Sequence, residues 1–264
     1  MRLCSTRLLV CNMETNDDAL AKIRAGAADF RKRVGRANIG LFTAAACLLA
    51  APRLIVSRAA AKPAAEVLAN LQLPWLPTWP GLVAAPLHDP LNHPWTRRLR
   101  QAAPEIREEL ASVRGAFARA RYDSSDNEKP WTTFYFYLEG RPCRENLSSC
   151  PRTAAVLQSI PHNAFHVCFS ALEPGGSLHL HTGPTNASLT AHLGLENCSG
   201  ARLSVANRTA EYRDDEVLVF DDSFVHGVGN FSSAVRYTLM VTFWHPQLTY
   251  FERAFLRQVI RRAP

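Results

Sequence analysis

The 264-residue sequence lacks several patterns that mark common protein classes. None of its seven cysteines belongs to a Cys-x-x-Cys pair, which argues against a zinc ribbon or a thioredoxin-like site. No glycine-rich loop opens a helix, and strands do not alternate with helices, so a doubly wound nucleotide-binding fold is disfavoured. No internal repeat is present. The chain is long enough for one catalytic-size domain and an appended segment.

A net positive charge is absent from most of the chain. Residues 1–62 contain 11 Lys and Arg against 4 Asp and Glu, a net charge of +7, whereas residues 63–264 contain 19 of each kind. A domain that binds nucleic acid needs a basic face of its own, so we expect no nucleic-acid partner. The basic N-terminal extension indicates targeting or contact with a membrane surface instead.

A long hydrophobic run is also missing. The apolar run from Ile39 to Ala51 covers 13 residues, and a bilayer-spanning helix needs about 17–25. Extension to Val56 reaches a marginal length but places Pro52 and Arg53 inside the span. Residues 39–56 are therefore interpreted either as a signal anchor or as an Ala-rich helix. An anchor would make the protein single-pass in the endoplasmic reticulum with a lumenal catalytic domain; the alternative is a cytoplasmic or organellar protein.

Cysteine usage leaves the compartment open. Cys143 and Cys150 flank a short loop and could close a small disulfide if the domain is lumenal. The odd total leaves at least one cysteine unpaired in either case.

Composition divides the rest of the chain into three parts. Residues 63–84 form a Pro- and Trp-rich lead-in, too rich in proline for a helix interior or a central strand. Residues 85–250 form the expected catalytic domain, which begins with helical periodicity between Pro94 and Ala120. Residues 251–264 form a helical tail, expected to pack Phe255, Leu256 and Ile260 on the domain.

From Trp131 onward, short β-type runs are separated by turn residues. The predicted strands are Thr132–Leu138, Phe165–Leu172, Ser177–His181, Leu189–Leu195, Arg202–Ala206, Val217–Phe220, Val225–Val228 and Tyr237–Phe243. Short strands with turn punctuation predict a mainly β fold with flanking helices, either a sandwich or a jelly roll.

Two histidines lie on separate strand-like segments. His181 opens the string HTGPTN, His226 ends the string FDDSFVH, and Arg236 follows ten residues later. This combination suits a mononuclear iron site that uses an oxo-acid cosubstrate. In a 2-His-1-carboxylate site a carboxylate normally lies two residues after the first histidine, but that position is Gly183.

Four strings resemble the aspartyl/asparaginyl β-hydroxylase domain over roughly residues 75–250. They are HTGPTN, FDDSFVH, HLGL at His192–Leu195 and FWHP at Phe243–Pro246, and the preceding Asn146-x-x-x-Cys-Pro-x-Thr153 also fits. The resemblance implies a double-stranded β-helix, which is a cupin-like jelly roll. It also implies a dioxygenase that uses Fe(II), 2-oxoglutarate and dioxygen to hydroxylate the β-carbon of an Asp or Asn side chain in a protein or peptide. Glycine occupies the carboxylate position in that family, so Gly183 fits a two-histidine iron site.

The resemblance also assigns roles to residues. His181 and His226 are the implied metal ligands and catalytic residues, and Arg236, Ser170 and His192 are the implied 2-oxoglutarate-binding residues. A guanidinium such as that of Arg236 can clasp a carboxylate through two parallel hydrogen bonds.

Three neighbouring residues qualify these assignments. His179 shares a strand face with His181, but the family pattern places the ligand in the HTG tripeptide. Asp222, four residues before His226, is expected to orient a histidine rather than to bind metal. Thr190 departs from the family, which has a basic residue two positions before the HLGL histidine, so one positive charge fewer is expected near the cosubstrate.

Two alternatives remain open at this point. One is an oxygenase that acts on a small molecule or a lipid. The other is a non-catalytic jelly-roll module that keeps the histidines for structure or for binding zinc or another ligand.

Overall fold

The computed structural model describes residues 72, 74, 78–125 and 128–262. The N-terminal extension, with its segment 39–56, and most of the lead-in lie outside these residues, so the domain boundaries stay predictions. Within the described part of the chain, no helix combines the length and the apolarity needed to cross a membrane.

Twelve strands and four α-helices make up the described fold. The strands are β1 (Leu87–His88), β2 (Ala118–Arg119), β3 (Thr132–Leu138), β4 (Arg141–Pro142), β5 (His162–Leu172), β6 (Ser177–His181), β7 (Ser188–Glu196), β8 (Ala201–Val205), β9 (Arg208–Glu211), β10 (Val217–Phe220), β11 (His226–Asn230) and β12 (Arg236–Trp244). The helices are α1 (Thr96–Val113), α2 (Arg144–Ser149), α3 (Pro151–Gln158) and α4 (Tyr250–Arg262).

The strands form two antiparallel sheets. The large sheet has the order β1-β10-β7-β12-β5-β3-β2, with β4 paired to β3, and the small sheet has the order β6-β11-β8-β9. Buried side chains of both sheets pack into one cluster, which includes Cys168 and Met240 from the large sheet and Leu178, Leu203 and Val228 from the small one. Two facing antiparallel sheets with these crossovers confirm the predicted double-stranded β-helix.

All eight strands predicted from alternation are present. Three match their predicted bounds, and the others shift at their ends; β5, for example, begins at His162 rather than at Phe165. Strands β1, β2, β4 and β9 were not predicted. Each has only two to four residues, too short for an alternating pattern to be recognised.

Helix α1 covers the outer face of the large sheet. Its buried residues include Leu99, Ile106 and Leu110, which lie in one cluster with strand residues such as Phe136 and Leu193. The helix ends at Val113, seven residues before the predicted end, because a 3₁₀ turn at Arg114–Ala116 leads into extended backbone at Phe117.

The Cys-Pro-x-Thr motif forms the start of helix α3. The buried carboxylate of Glu109 accepts hydrogen bonds from the backbone N–H of Arg152 (2.8 Å) and from both the N–H and the hydroxyl of Thr153 (2.7 Å each). These bonds satisfy N–H groups that a helix start leaves unpaired. Cys143 and Cys150 lie on either side of helix α2 as free thiols, so they form no disulfide.

Trp79 of the lead-in contacts the histidine motif. Asn186, the last residue of HTGPTN, accepts a hydrogen bond from the Trp79 N–H (2.6 Å) and donates one to the Trp79 carbonyl (3.0 Å). The Trp79 indole also donates to Glu252 of helix α4 (2.9 Å). The predicted tail helix is therefore present, with Leu256 buried and Phe255 packed near Trp79. The Ile260 side chain lies outside the described structure.

Candidate active site

A cavity of about 390 Å³ opens between the two sheets. The residues predicted to bind iron or cosubstrate all line it: His181, His226, Arg236, Ser170 and His192. They come from strands β5, β6, β7, β11 and β12. The fold thus brings together residues that are up to 66 positions apart in the sequence.

Strand register brings the two histidines together. Strands β6 and β11 pair antiparallel, and His181 lies directly opposite His226. Their ring centroids are 4.2 Å apart. Both side chains are therefore placed to reach one metal ion from adjacent strands.

Backbone carbonyls set the orientation of both rings. Nδ1 of His181 lies 2.7 Å from the carbonyl oxygen of His179, and Nδ1 of His226 lies 2.9 Å from that of Phe224. A carbonyl can only accept, so each Nδ1 carries the proton and each neutral ring keeps its Nε2 lone pair. Burial lowers the pKa of both histidines, which favours the neutral ring. Two neutral imidazoles with available Nε2 atoms are suitable Fe(II) ligands.

Asp222 occupies the space that a side chain at position 183 would fill. A Cβ added to Gly183 would lie 2.5 Å from Cγ of Asp222, and the Gly183 N–H donates to the Asp222 carbonyl (2.6 Å). The Thr190 hydroxyl donates to Oδ2 of Asp222 (3.1 Å), and Oδ1 has no partner in the described structure. Burial, followed by the charge of Asp221, raises the pKa of Asp222 to about 7. Glycine at position 183 therefore leaves the space in which the Asp222 carboxyl group lies against the loop that follows His181.

One sequence prediction about Asp222 is wrong. Its carboxyl group was expected to orient a histidine, but the carbonyls of His179 and Phe224 hold the two ring Nδ1 atoms. A backbone carbonyl two residues before each histidine is a partner that side-chain patterns do not reveal.

Arg236 forms the other end of the site. Its side chain is 1% exposed, its Nη2 lies 3.4 Å from the Ser170 hydroxyl, and its guanidinium carbon lies 5.1 Å from the centre of the Tyr212 ring. Nε and Nη1 have no hydrogen-bond partner in the described structure. A buried cation without a counter-ion is costly, so the arrangement suits an anionic ligand such as a carboxylate.

Two further residues complete this end and were not singled out from the sequence. The Trp131 indole donates to the Ser170 hydroxyl (2.9 Å), and the Tyr212 hydroxyl lies 2.8 Å from Nδ1 of His192. Burial lowers the pKa of His192 to about 3, so its ring is neutral, and its Nε2 has no partner in the described structure. Nothing in the sequence around Tyr212 marks it, because only the tertiary structure brings it to His192.

These residues fit iron and 2-oxoglutarate. The histidine pair presents metal-binding nitrogens, and the end formed by Arg236, Ser170 and His192 presents unpaired polar atoms to an anion. Thr190 lines the same cavity in place of the family's basic residue, so Arg236 is the one Lys or Arg among the described cavity-lining residues that could bind a dicarboxylate.

Comparison with known proteins agrees with this site. The model of the family described as aspartyl/asparaginyl beta-hydroxylase matches residues 100–246, more than half of the chain. The chain belongs to this family. It is a member of a family of hydroxylases, as the sequence motifs indicate.

Three relatives illustrate the family. Human aspartate beta-hydroxylase domain-containing protein 2 is 37% identical over 134 residues, 48% of this chain and 36% of that protein. Human aspartyl/asparaginyl beta-hydroxylase is 35% identical over 124 residues, 45% of this chain and 16% of that protein. The ornithine lipid ester-linked acyl 2-hydroxylase of Rhizobium tropici is 32% identical over 172 residues, 61% of each chain. The chain thus spans less than two thirds of each of these relatives.

Solved structures also match in part. A prolyl hydroxylase from Trichoplax adhaerens, in complex with a peptide of hypoxia inducible factor, matches 59% of this chain and 81% of that chain, at 13% identity and a TM-score of 0.37. A prolyl-4-hydroxylase from Pseudomonas putida matches 54% and 87%, at 16% identity and a TM-score of 0.36. The fold assignment rests on the strand pairing described above.

Proposed function

We propose that this protein is an Fe(II)- and 2-oxoglutarate-dependent dioxygenase that hydroxylates a C–H bond of its substrate. His181 and His226 would hold the iron through their Nε2 atoms, and Arg236, Ser170 and His192 would hold 2-oxoglutarate. When bound, the iron supplies dioxygen activation: the C–H bond becomes C–OH while 2-oxoglutarate is converted to succinate and carbon dioxide.

The observation that carries this proposal is the buried guanidinium of Arg236, whose Nε and Nη1 have no hydrogen-bond partner in the described structure, in the same cavity as the histidine pair. A guanidinium can donate two parallel hydrogen bonds to one carboxylate, and the Ser170 hydroxyl lies 3.4 Å from Nη2. A metal-binding module without an anionic cosubstrate would leave this buried cation without a counter-ion, which is unfavourable.

The chain's own residues would prepare the site rather than perform the oxidation. The two carbonyls of His179 and Phe224 keep the imidazoles in one tautomer. Trp131 orients the Ser170 hydroxyl, and Tyr212 orients His192. The apolar cavity-lining residues, among them Leu178, Val228 and Met240, would limit the access of water to the reacting carbon.

The substrate belongs to the proposal as well. The resemblance predicts the β-carbon of an Asp or Asn side chain in a protein or peptide, and the names of two human relatives favour it. The lipid hydroxylase among the relatives favours an acyl chain instead. Anchoring in the endoplasmic reticulum membrane depends on residues 1–62 and stays a prediction.

An anaerobic titration tests the proposed function. Fe(II) is added to the full chain, followed by 2-oxoglutarate, and the visible spectrum is recorded. We expect a weak charge-transfer band that requires both additions, and slow succinate formation once oxygen is admitted. Arg236→Ala should weaken the band at a given 2-oxoglutarate concentration, whereas His226→Ala should remove it. Tight zinc binding with no effect of 2-oxoglutarate would favour the non-catalytic module and overturn the proposal.

A further inference from the structure

Helix α4 presents two aromatic side chains to solvent. Tyr250 and Phe251 are 80% and 81% exposed, and their rings meet edge-on with centroids 5.8 Å apart. Val83, which is 56% exposed, is joined to the same region, because its N–H donates to the side chain of Gln247 (2.7 Å), three residues before Tyr250. Large apolar side chains that are left open to water at one place mark a contact surface for a partner.

The outward side of α4 combines these aromatic rings with positive charge. As far as its side chains are described, the exposed residues of the helix are Tyr250, Phe251, Ala254, Arg257 and Gln258. Their spacing of three and four residues places them on one side of the helix, whereas Leu256 is buried against the domain. The one acid of the helix, Glu252, accepts hydrogen bonds from the Trp79 indole (2.9 Å) and the Thr249 hydroxyl (2.7 Å). The described outward side of α4 therefore has a cation and no acid.

The charge of α4 differs from that of the rest of the domain. Residues 250–262 contain four Arg and one Glu, a net charge of +3, whereas the other residues of 63–264 contain 15 Lys and Arg against 18 Asp and Glu, a net charge of −3. The second basic part of the chain is the extension, residues 1–62. Its lead-in meets the domain at α4, because Trp79 donates to Glu252 and lies near Phe255, with ring centroids 6.3 Å apart. The lead-in therefore connects the basic extension to the domain at the basic helix.

Charge and aromatic content together select the partner. An anionic bilayer surface attracts clustered Arg side chains and accommodates aromatic rings at the level of the lipid headgroups. A second copy of the chain would bring the same positive charge to this face, and the extension is basic as well, so neither complements it. Duplex nucleic acid would pair its phosphates with Arg side chains but would leave the exposed Tyr250, Phe251 and Val83 in water.

We propose that the outward side of α4 docks on a membrane surface that contains anionic phospholipids. Tyr250 and Phe251 would enter the headgroup region, and Arg257 would contact lipid phosphates. This contact belongs to the domain itself. It requires neither a membrane-spanning segment nor bound iron, and so goes beyond the proposed function.

Vesicle flotation with the full chain tests the proposal. The vesicles contain either phosphatidylcholine alone or phosphatidylcholine mixed with phosphatidylserine. We expect flotation with the anionic vesicles and a decrease in bound protein as salt is added. Replacing both aromatic residues, Tyr250→Ser with Phe251→Ser, should weaken this binding about 10-fold or more, because their apolar area no longer leaves water.

Phe231→Ser is the matched control for the aromatic pair. Phe231 is 68% exposed, but it precedes the first residue of β12, whereas α4 follows the last residue of this nine-residue strand. The control should bind anionic vesicles as the unaltered protein does. If the double aromatic variant also binds unchanged, docking through α4 is wrong, and flotation belongs to residues 1–62.

A charge reversal distinguishes a membrane from other anionic partners. Arg257→Glu should weaken binding to anionic vesicles about 10-fold or more, whereas Arg144→Glu, at an exposed position of α2, should have little effect. Duplex DNA serves as the competing anion. Loss of binding in Arg257→Glu but not in the double aromatic variant, with full competition by the DNA, would assign the surface to nucleic acid and overturn the proposal. Each substitution changes an exposed side chain and should leave the urea unfolding midpoint unchanged.

Discussion

The two sheets contribute different chemistry to one cavity. The small sheet contributes His181 and His226, whose rings are oriented by backbone carbonyls of their own segments. The large sheet contributes Arg236 and His192, which keep nitrogen atoms without partners. The proposed metal half is therefore organised by strand register and backbone carbonyls, whereas the proposed cosubstrate half has nitrogen atoms without partners in the described structure, which suit an anionic ligand. Binding of the cosubstrate should therefore stabilise the half with Arg236 and His192 far more than the half with His181 and His226.

The largest effect is expected from a change in the proposed metal-binding half of the site. His226→Ala should reduce 2-oxoglutarate turnover to background, because the proposed iron site would lose one of its two protein ligands. His179→Ala is the matched control, since it keeps the backbone carbonyl that holds His181 and should retain most activity. Succinate formation and iron content measure both, and equal losses in the two variants would overturn the ligand assignment.

The next largest effect is expected from a change in the proposed cosubstrate-binding half of the site. Arg236→Met should weaken 2-oxoglutarate binding by about 2–5 kcal/mol, because it removes the buried cation from its carboxylate partner. The same change should raise the free energy of unfolding measured without cosubstrate, since an unpaired buried charge disappears. Calorimetric titration and denaturant unfolding measure the two quantities.

Arg202→Met serves as the control for this change. Its side chain is 55% exposed on the small sheet, so it should alter neither quantity appreciably. A loss of cosubstrate-free stability in Arg236→Met would contradict the idea that the cosubstrate half is incomplete without an anion.

A smaller effect concerns the loop between the halves. Gly183→Ala should destabilise the protein by about 1–3 kcal/mol, because its new Cβ would meet the Asp222 carboxyl group. Asp222→Ala in the same chain should recover part of that loss, which a double-mutant cycle in urea measures. Gly115→Ala, where nothing lies within 4 Å of the added Cβ, is the control and should cost little. If the losses of unfolding free energy in the two single variants simply add in the double variant, the proposed clash is disproved.

The smallest effect tests the bond that joins the large sheet to this loop. Thr190→Val removes the hydroxyl that donates to Asp222 and should cost about 1 kcal/mol. Thr238→Val is the control, because the Thr238 hydroxyl on the same sheet is buried without a partner in the described structure. That control should be neutral or stabilising, as urea unfolding would reveal, and a larger cost in Thr238→Val would refute the assignment.

Individual strands show how much of the fold could be predicted from the sequence. Strands such as β3 and β10 were predicted to the residue because alternation and turn residues are local signals. The two-residue strands β1 and β2 were missed because they exist only through pairing with β10 and β3. The candidate site residues were found through family strings, and their partners Trp131 and Tyr212 were not.

The sequence by itself determined eight of the twelve described strands, the motif residues and the glycine at position 183, because these depend on residue type and spacing along the chain. The tertiary structure alone decided three other features. It placed His181 opposite His226, brought the Asp222 carboxyl group against Gly183, and buried Arg236 beside Tyr212 with no carboxylate partner among the described residues. Each joins residues from segments that are distant in the sequence, and strand register, which positions these segments, is set by packing over the whole sheet.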